Sequence, residues 1–265
     1  MLRLSVGSLC FAIFAPVLVG QAADPPRSYR AVRTAVPPVI DGDLEEPAWA
    51  PVLPSAAFVD IEGVRRPAPS HETRFRVTWD DSALYLAATL TEPDLWATIT
   101  ERDAVIYHDN DFEWFIDPDG DALRYFEFEV NALGTVWDLF LPKPYRDGGK
   151  AENGWNIDGL RSAVRLRGTL NDPRDRDTSW TVEMAIPWAA FADSGRTVIP
   201  PVPGTAWRIN FSRVQWDRDV VAGQYQKRKD AEGRTLPEHN WVWSAQGVIN
   251  MHVPERWGRI VFVEK

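Results

Sequence analysis

Residues Asn110–Asp121 read NDFEWFIDPDGD, and five of these twelve positions are carboxylic acids. The stretch alternates as a strand does: Phe112, Trp114 and Ile116 share one phase, and Asp111, Glu113, Phe115 and Asp117 share the other. Pro118-Asp119-Gly120 then supplies a turn. The next run, RYFEFEVN (Arg124–Asn131), repeats the pattern, with Phe126, Phe128 and Val130 apolar and Tyr125, Glu127, Glu129 and Asn131 on the opposite phase. Paired as neighbours, the two strands line one sheet face with Glu113, Glu127, Glu129 and Asn131. Like charges facing each other across a sheet cost up to about 1 kcal/mol per pair. Compensation must come from basic side chains, a cation or the hydroxyls of a ligand. Arg213, in NFSRVQW, and Arg124 are candidate basic partners. The bland alternative is a solvated outer face neutralised by the arginines of TRFRVTW.

The rest of the chain keeps the same period. TRFRVTW (73–79) and ALYLAATL (83–90) flank the turn Asp80-Asp81-Ser82 and predict a hairpin. Further strands are expected at YRAVRT, TVWDLF, SAVRLRGTL, SWTVEMAI, TAWRINFSRVQW and GRIVFVE. Short helices fit only Leu44–Trp49, with Asp43 as N-cap, and PWAAF at 187–191. Many short strands without a repeat or linker predict an all-β fold: an antiparallel β-sandwich of the jelly-roll kind with one or two short helices. Trp79, Trp114 and Trp180 sit on apolar phases and are expected in the core.

The chain has 265 residues, 45% of them hydrophobic, 13 tryptophans and a formal charge of −9. Apolar content of this order supports a packed core, and the acidic balance argues against nucleic acid as a partner. Residues 1–23 combine Arg3, an apolar run from Leu4 to Gly20 and a small-residue exit at Ala22-Ala23, the pattern of a secretory signal peptide. The mature chain, 24–265, is then expected to be one exported domain, periplasmic or secreted, without a membrane span. The single cysteine, Cys10, falls in that leader, which leaves neither a disulfide nor a thiolate metal site.

IDGDLEEPAW, RVTWDDSALYL, NDFEWFIDPDGD and EFEVNALGTVWD, followed by WTVEMAIPW, WRINFSRVQW, WVWS and MHVPERWGRIVF, together resemble the family 9 carbohydrate-binding modules. The resemblance runs in order through nearly the whole mature chain. It implies a β-sandwich of the DOMON-like group, structural calcium, and a sugar clamped between two Trp rings while polar side chains bond its hydroxyls. Transferred position by position, the first clamp Trp becomes Tyr107, the strand Glu is Glu113 and the following-strand Asn is Asn131. The sugar-binding Arg becomes Glu129, a reversal of charge, and the second clamp Trp becomes Met251. An intact Trp pair is therefore absent, and Trp137, Trp155, Trp216 or Trp241 could rebuild a platform, with Trp137 and Trp155 best placed near Gly-rich loops. The resemblance implies a carbohydrate ligand, with separate glycoside hydrolases as possible partners in polysaccharide catabolism.

Asp117, Asp119 and Asp121 alternate as in a calcium loop, with Asp109 and Asp111 as further oxygen donors; a capped hairpin turn reads equally simply. Glu113 and Glu129 could serve a glycoside hydrolase, which needs two carboxylates across a cleft, one of them protonated. Some proteins of the wider sandwich group bind b-type haem through Met, which makes Met184 and Met251 alternative ligands. No nucleophile elbow, phosphate loop or His-Glu-x-x-His helix is present, and His71, His108, His239 and His252 show no metal-ligand spacing.

Overall fold

The apolar phases read from the sequence turn inward together. In the computed structural model, which describes residues 24–264, Phe112, Trp114, Ile116, Phe126, Phe128 and Val130 all join one buried core. The leader expected at residues 1–23 lies outside the described residues. The strands run as β1 (Ser28–Arg33), β2 (Val59–Asp60), β3 (Thr73–Trp79), β4 (Ala83–Thr91), β5 (Asp111–Asp117), β6 (Tyr125–Asn131) and β7 (Val136–Leu141). They continue as β8 (Arg161–Arg167), β9 (Ser179–Pro187), β10 (Ala206–Gln215), β11 (Arg218–Val221), β12 (Gln224–Lys227), β13 (His239–Val242) and β14 (Gly258–Val263).

One hydrogen-bonded path links β7-β6-β5-β10-β14-β1-β3-β4-β9-β8, with β13 added to β10 and β2 added to β13. The two halves of this path face each other across the core. Phe75 of β3 stacks on Phe211 of β10 with ring centroids 3.8 Å apart, and the Trp114 indole N–H of β5 donates to Met184 Sδ of β9 at 3.1 Å. The architecture is the expected sandwich, with one departure from purely antiparallel pairing. The first strand, β1, runs parallel to both β14 and β3 and so stitches the two layers into one sheet.

Among the described residues the only helical pieces are short 3-10 turns, the longest being Trp188–Phe191 within PWAAF. Leu44–Trp49 does not form the expected helix; it runs as successive turns, because Pro47 removes a backbone donor inside so short a segment. Asp43 still caps it, accepting the Glu45 N–H at 3.1 Å. The motif instead anchors the chain to β9. Buried Glu183 accepts N–H groups from Asp41 (3.0 Å), Gly42 (2.9 Å) and the Trp49 indole (2.6 Å). Gly42 is required there, since its φ is +82° and a Cβ would sit 2.9 Å from that of Arg165.

Trp114 lies at the centre of the sandwich, fully buried and stacked on Phe128 at 5.3 Å. Trp114→Ala should cost about 3–5 kcal/mol of unfolding free energy in urea titrations. A loss below about 1 kcal/mol would show that this layer can collapse around the gap.

Candidate functional site

The second phase of β5, β6 and β7 builds the outer face. Its register sets Glu113 opposite Glu129, Phe115 opposite Glu127 and Asp111 opposite Asn131. On β7, Trp137 lies opposite Glu129 and Leu139 opposite Glu127, while Ser212 of β10 flanks Glu113 from the other side. This face is not the solvated surface that its charge suggested. One end is apolar: Phe115, Tyr125, Leu139 and Leu141 pack under Met251 and Trp257, and the Trp257 indole N–H donates to the Met251 carbonyl at 2.8 Å. The other end carries Glu113, Glu127 and Glu129. They floor a cleft of about 510 Å³ walled by Tyr107, Trp137, Tyr145, Met251, His252 and Glu238.

The floor is buried, and burial disfavours the charged form of an acid. Glu113 is pushed up to about 7. Asp111, Glu127 and Glu129 are raised well above the ordinary carboxylate range, first by burial and then by the neighbouring carboxylate charges. Tyr107, in the 3-10 turn Ile106–His108, donates its backbone N–H to Glu129 Oε2 at 2.9 Å, and its ring stays 40% exposed at the cleft rim. Glu127 Oε2 and the Trp137 indole nitrogen are buried without a hydrogen-bond partner, and Asp111 Oδ2 and Ser212 Oγ are buried with only the Glu113 carboxyl beside them. Among the described residues no Lys or Arg lines the cleft. His252 contacts the Tyr125 hydroxyl through Nδ1 at 2.9 Å, and burial lowers its pKa to about 4.

The structure thus gathers Tyr107, Glu113, Glu129, Trp137 and Met251 around one cleft, but three expected ligand residues lie elsewhere. Asn131 is saturated: its amide donates to the Ile99 carbonyl (2.8 Å) and Asp109 (3.0 Å), and its oxygen accepts the N–H groups of Leu133 and Thr135. Arg213 projects from β10 on the phase of Trp207, Ile209 and Phe211, away from the acidic face. There it bonds Glu92, Gln215, Thr73 and the Thr91 carbonyl. That phase was readable in the sequence from Trp207, Ile209 and Phe211. Trp155 packs against Phe126 and Phe140 on the core side, so it offers no platform. Trp216 and Trp241 are buried as well.

Other expected compensations are also absent. Arg124 pairs with Asp121 at 2.8 Å, and Arg74 and Arg76 of β3 bond backbone carbonyls of Ser55 and Val52. Tyr145, Glu238, Ile249 and His252 are cleft residues that periodicity did not reveal, because they reach it from turns and loops. Met184 is spent as acceptor for Trp114 inside the core and does not line the cleft with Met251.

The turn Asp117–Asp121 brings oxygens of Asp117, Asp119 and Asp121 within 4.8 Å of one another. Their partners are already protein groups. Asp117 accepts the N–H groups of Gly120 and Ala122 (both 2.9 Å), Asp119 that of Arg196, and Asp121 that of Leu123. Arg124 lies beside Asp119 and Asp121. These donors fit a capped hairpin turn better than a calcium loop.

The sequence profile of Carbohydrate-binding family 9 matches residues 55–215, the span that contains β2 to β10 and the whole acidic floor. The chain belongs to this family. A Bacteroides uniformis protein to which carbohydrate binding has been ascribed superimposes with a TM-score of 0.63 at 18% identity, covering 89% of this chain and 99% of that one. A family 9 module from Caldicellulosiruptor kristjanssonii, solved with cellotriose, superimposes with a TM-score of 0.54 at 18% identity over 89% of this chain and 95% of that one. The glucose complex from the same organism gives 0.54 at 17% identity over 90% and 97%. At these identities the likeness is one of fold. No curated protein matches the sequence significantly.

A pH dependence of stability follows from the floor. Its acids have folded-state values above their unfolded ones, so the native state keeps protons that unfolding releases. Stability is therefore lowest above pH 8 and grows as pH falls through about 7. His252 acts oppositely below pH 6.5, because it is held neutral and must charge on unfolding. With chelator present, Tm should rise as pH falls from 8 through 6.5 and go on rising, less steeply once His252 opposes with one proton, until the ordinary carboxylate range is reached. A Tm that falls over that interval would contradict the buried acidic floor.

Proposed function

We infer that the chain is an exported, non-catalytic carbohydrate-binding protein, acting in polysaccharide or oligosaccharide catabolism alongside separate glycoside hydrolases. The observation that carries this reading is the cleft itself. A half-exposed Tyr107 and a wall of Trp137 and Met251 stand over Glu113, Glu127 and Glu129 on the sheet face of a family 9 fold. Sugar rings offer an apolar C–H face to an aromatic and a rim of hydroxyls to polar groups, and this cleft supplies both. Tyr107 would carry the stacking. Glu113 and Glu129 would accept hydroxyl hydrogens, and the unpartnered Trp137 N–H would donate to a ring or hydroxyl oxygen. Met251 closes the wall with a flexible thioether, where a clamp would have a second flat ring.

Hydrolysis finds less support. Glu113 and Glu129 rise from adjacent strands of one floor, directly opposite each other, so a sugar meets both from the same side. A glycosidase instead flanks the scissile bond with its two acids. The cellotriose and glucose complexes of the Caldicellulosiruptor module make glucose and short β-glucans the first ligands to try.

Calorimetric titration with mono- and oligosaccharides should give saturable binding without turnover. Tyr107→Ala should weaken it by about tenfold or more, the scale of one lost aromatic contact. Glu113→Gln should remove binding without lowering Tm. A large drop in Tm would instead mark Glu113 as structural, and reducing sugar released over hours would replace the binding reading with an enzymatic one.

A further inference from the structure

Elsewhere in the described chain, buried acids are answered by the protein. Glu183 accepts three N–H groups. Glu92 takes Arg213 (3.0 Å), Arg218 (2.9 Å) and the Asn110 amide (3.0 Å). Asp109 takes the Thr98 N–H and hydroxyl, the Ile99 N–H and the Asn131 amide. The cleft floor is answered more thinly, Glu129 by the Tyr107 N–H (2.9 Å) and Asp111 by the Val214 N–H (3.0 Å). Asp111, Glu113 and Glu129 each place an oxygen within 4.8 Å of the others, and all three are buried. Asp111 is wholly buried, yet its Oδ2 has only the Glu113 carboxyl against it and no N–H; Ser212 Oγ likewise has only Glu113 beside it, and Glu127 Oε2 has no partner. Leaving such groups unpaired in a low-dielectric site is expensive. The Arg213 guanidinium, on the strand that pairs with β5, is committed to Glu92 and Gln215 on the other side of the sheet.

Oxygens within 4.8 Å of one another can share one calcium ion, since Ca–O bonds of 2.3–2.6 Å allow two ligands to stand up to roughly 5.2 Å apart. The donors are all hard oxygens, which suit calcium, magnesium or manganese over softer metals. Glu113 and Glu129 face the open cleft, while Asp111 lies beside Glu113 on the same sheet face at the buried end, so the coordination sphere is unfinished on the ligand side.

We propose that Asp111, Glu113 and Glu129 hold a divalent cation of the calcium type on the cleft floor, and that vicinal hydroxyls of a neutral sugar complete its coordination. This deepens the carbohydrate-binding reading and rests on it. The charge reversal at Glu129 then has a purpose: a carboxylate in place of a basic side chain recruits the cation that meets the sugar. Three carboxylate ligands against two positive charges leave the site net negative with the ion bound, and Glu238 stands in the cleft wall, so a uronic acid is disfavoured against a neutral ring.

Two titrations on the full mature chain separate the inference from the reading beneath it. Calcium alone, followed by calorimetry and by terbium luminescence sensitised through the adjacent Trp137, should saturate near one ion at the floor. Glu129→Gln should weaken it by at least about tenfold, more than loss of an outer-shell partner costs. Asp119→Asn, in the turn outside the cleft, should leave it unchanged. Gln can still accept the Tyr107 N–H, so this variant should fold, and its Tm in chelator serves as the check. Glucose and cellotriose are then titrated in calcium and in chelator. Binding only in calcium supports the proposal. Equal calcium affinity in wild type and Glu129→Gln overturns it, as does equal sugar affinity in chelator, which would leave the sugar-binding reading standing. Calcium bound at the floor with no response to any sugar would support the ion site and remove the sugar reading.

Discussion

The register between β5 and β6 is the constraint on which both faces of this molecule depend. On the inner side it is held by Trp114 stacked on Phe128 at 5.3 Å, within a core that closes on Met184 from the opposite layer. A one-residue slip would turn every one of those rings outward, so the aromatic core leaves only one pairing. The same pairing fixes the outer side and places Glu113 directly against Glu129. Repulsion between these acids cannot be relieved by sliding the strands, because the core would be lost with it. The acidic floor is thus imposed by the hydrophobic packing behind it.

Much of this was legible in the sequence. Alternation in NDFEWFID and RYFEFEVN assigned the core phase and the acidic phase correctly, and the strands expected from YRAVRT to GRIVFVE are present. What escaped were elements shorter than a period can mark: β2 has two residues, and β13 has four. The burial of the acidic face escaped for a different reason. It depends on walls contributed by Glu238, Ile249, Met251 and His252, which lie more than a hundred residues further along the chain. A trace of it existed in β7, where Trp137, Leu139 and Leu141 on the outer phase are as apolar as Val136 and Phe140 on the inner one. Apolar residues on both phases mean cover on both sides.

Arg213 shows where residue type misled. An arginine on the strand that pairs with the acidic β5 looks like a counter-charge, but its phase belonged to Trp207, Ile209 and Phe211. Buried at the sheet's inner edge, it serves Glu92. Asn131 and Trp155 follow the same logic. Each is the right chemical type for a sugar contact, and each is consumed locally, one by a turn and the other by the core.

The cleft is built from two parts of the chain with different obligations. Its floor comes from β5, β6 and β7, inside the span shared with the family, and every floor residue alternates with one that the core needs. Its rim includes Glu238, Ile249 and Met251, beyond residue 215 and outside that span. Substitutions at exposed rim positions such as Ile249 therefore disturb the sandwich little, whereas substitutions in the floor sit one residue from Trp114 or Phe128. Such a division would let ligand preference change through a few loop positions without disturbing the scaffold that holds the floor.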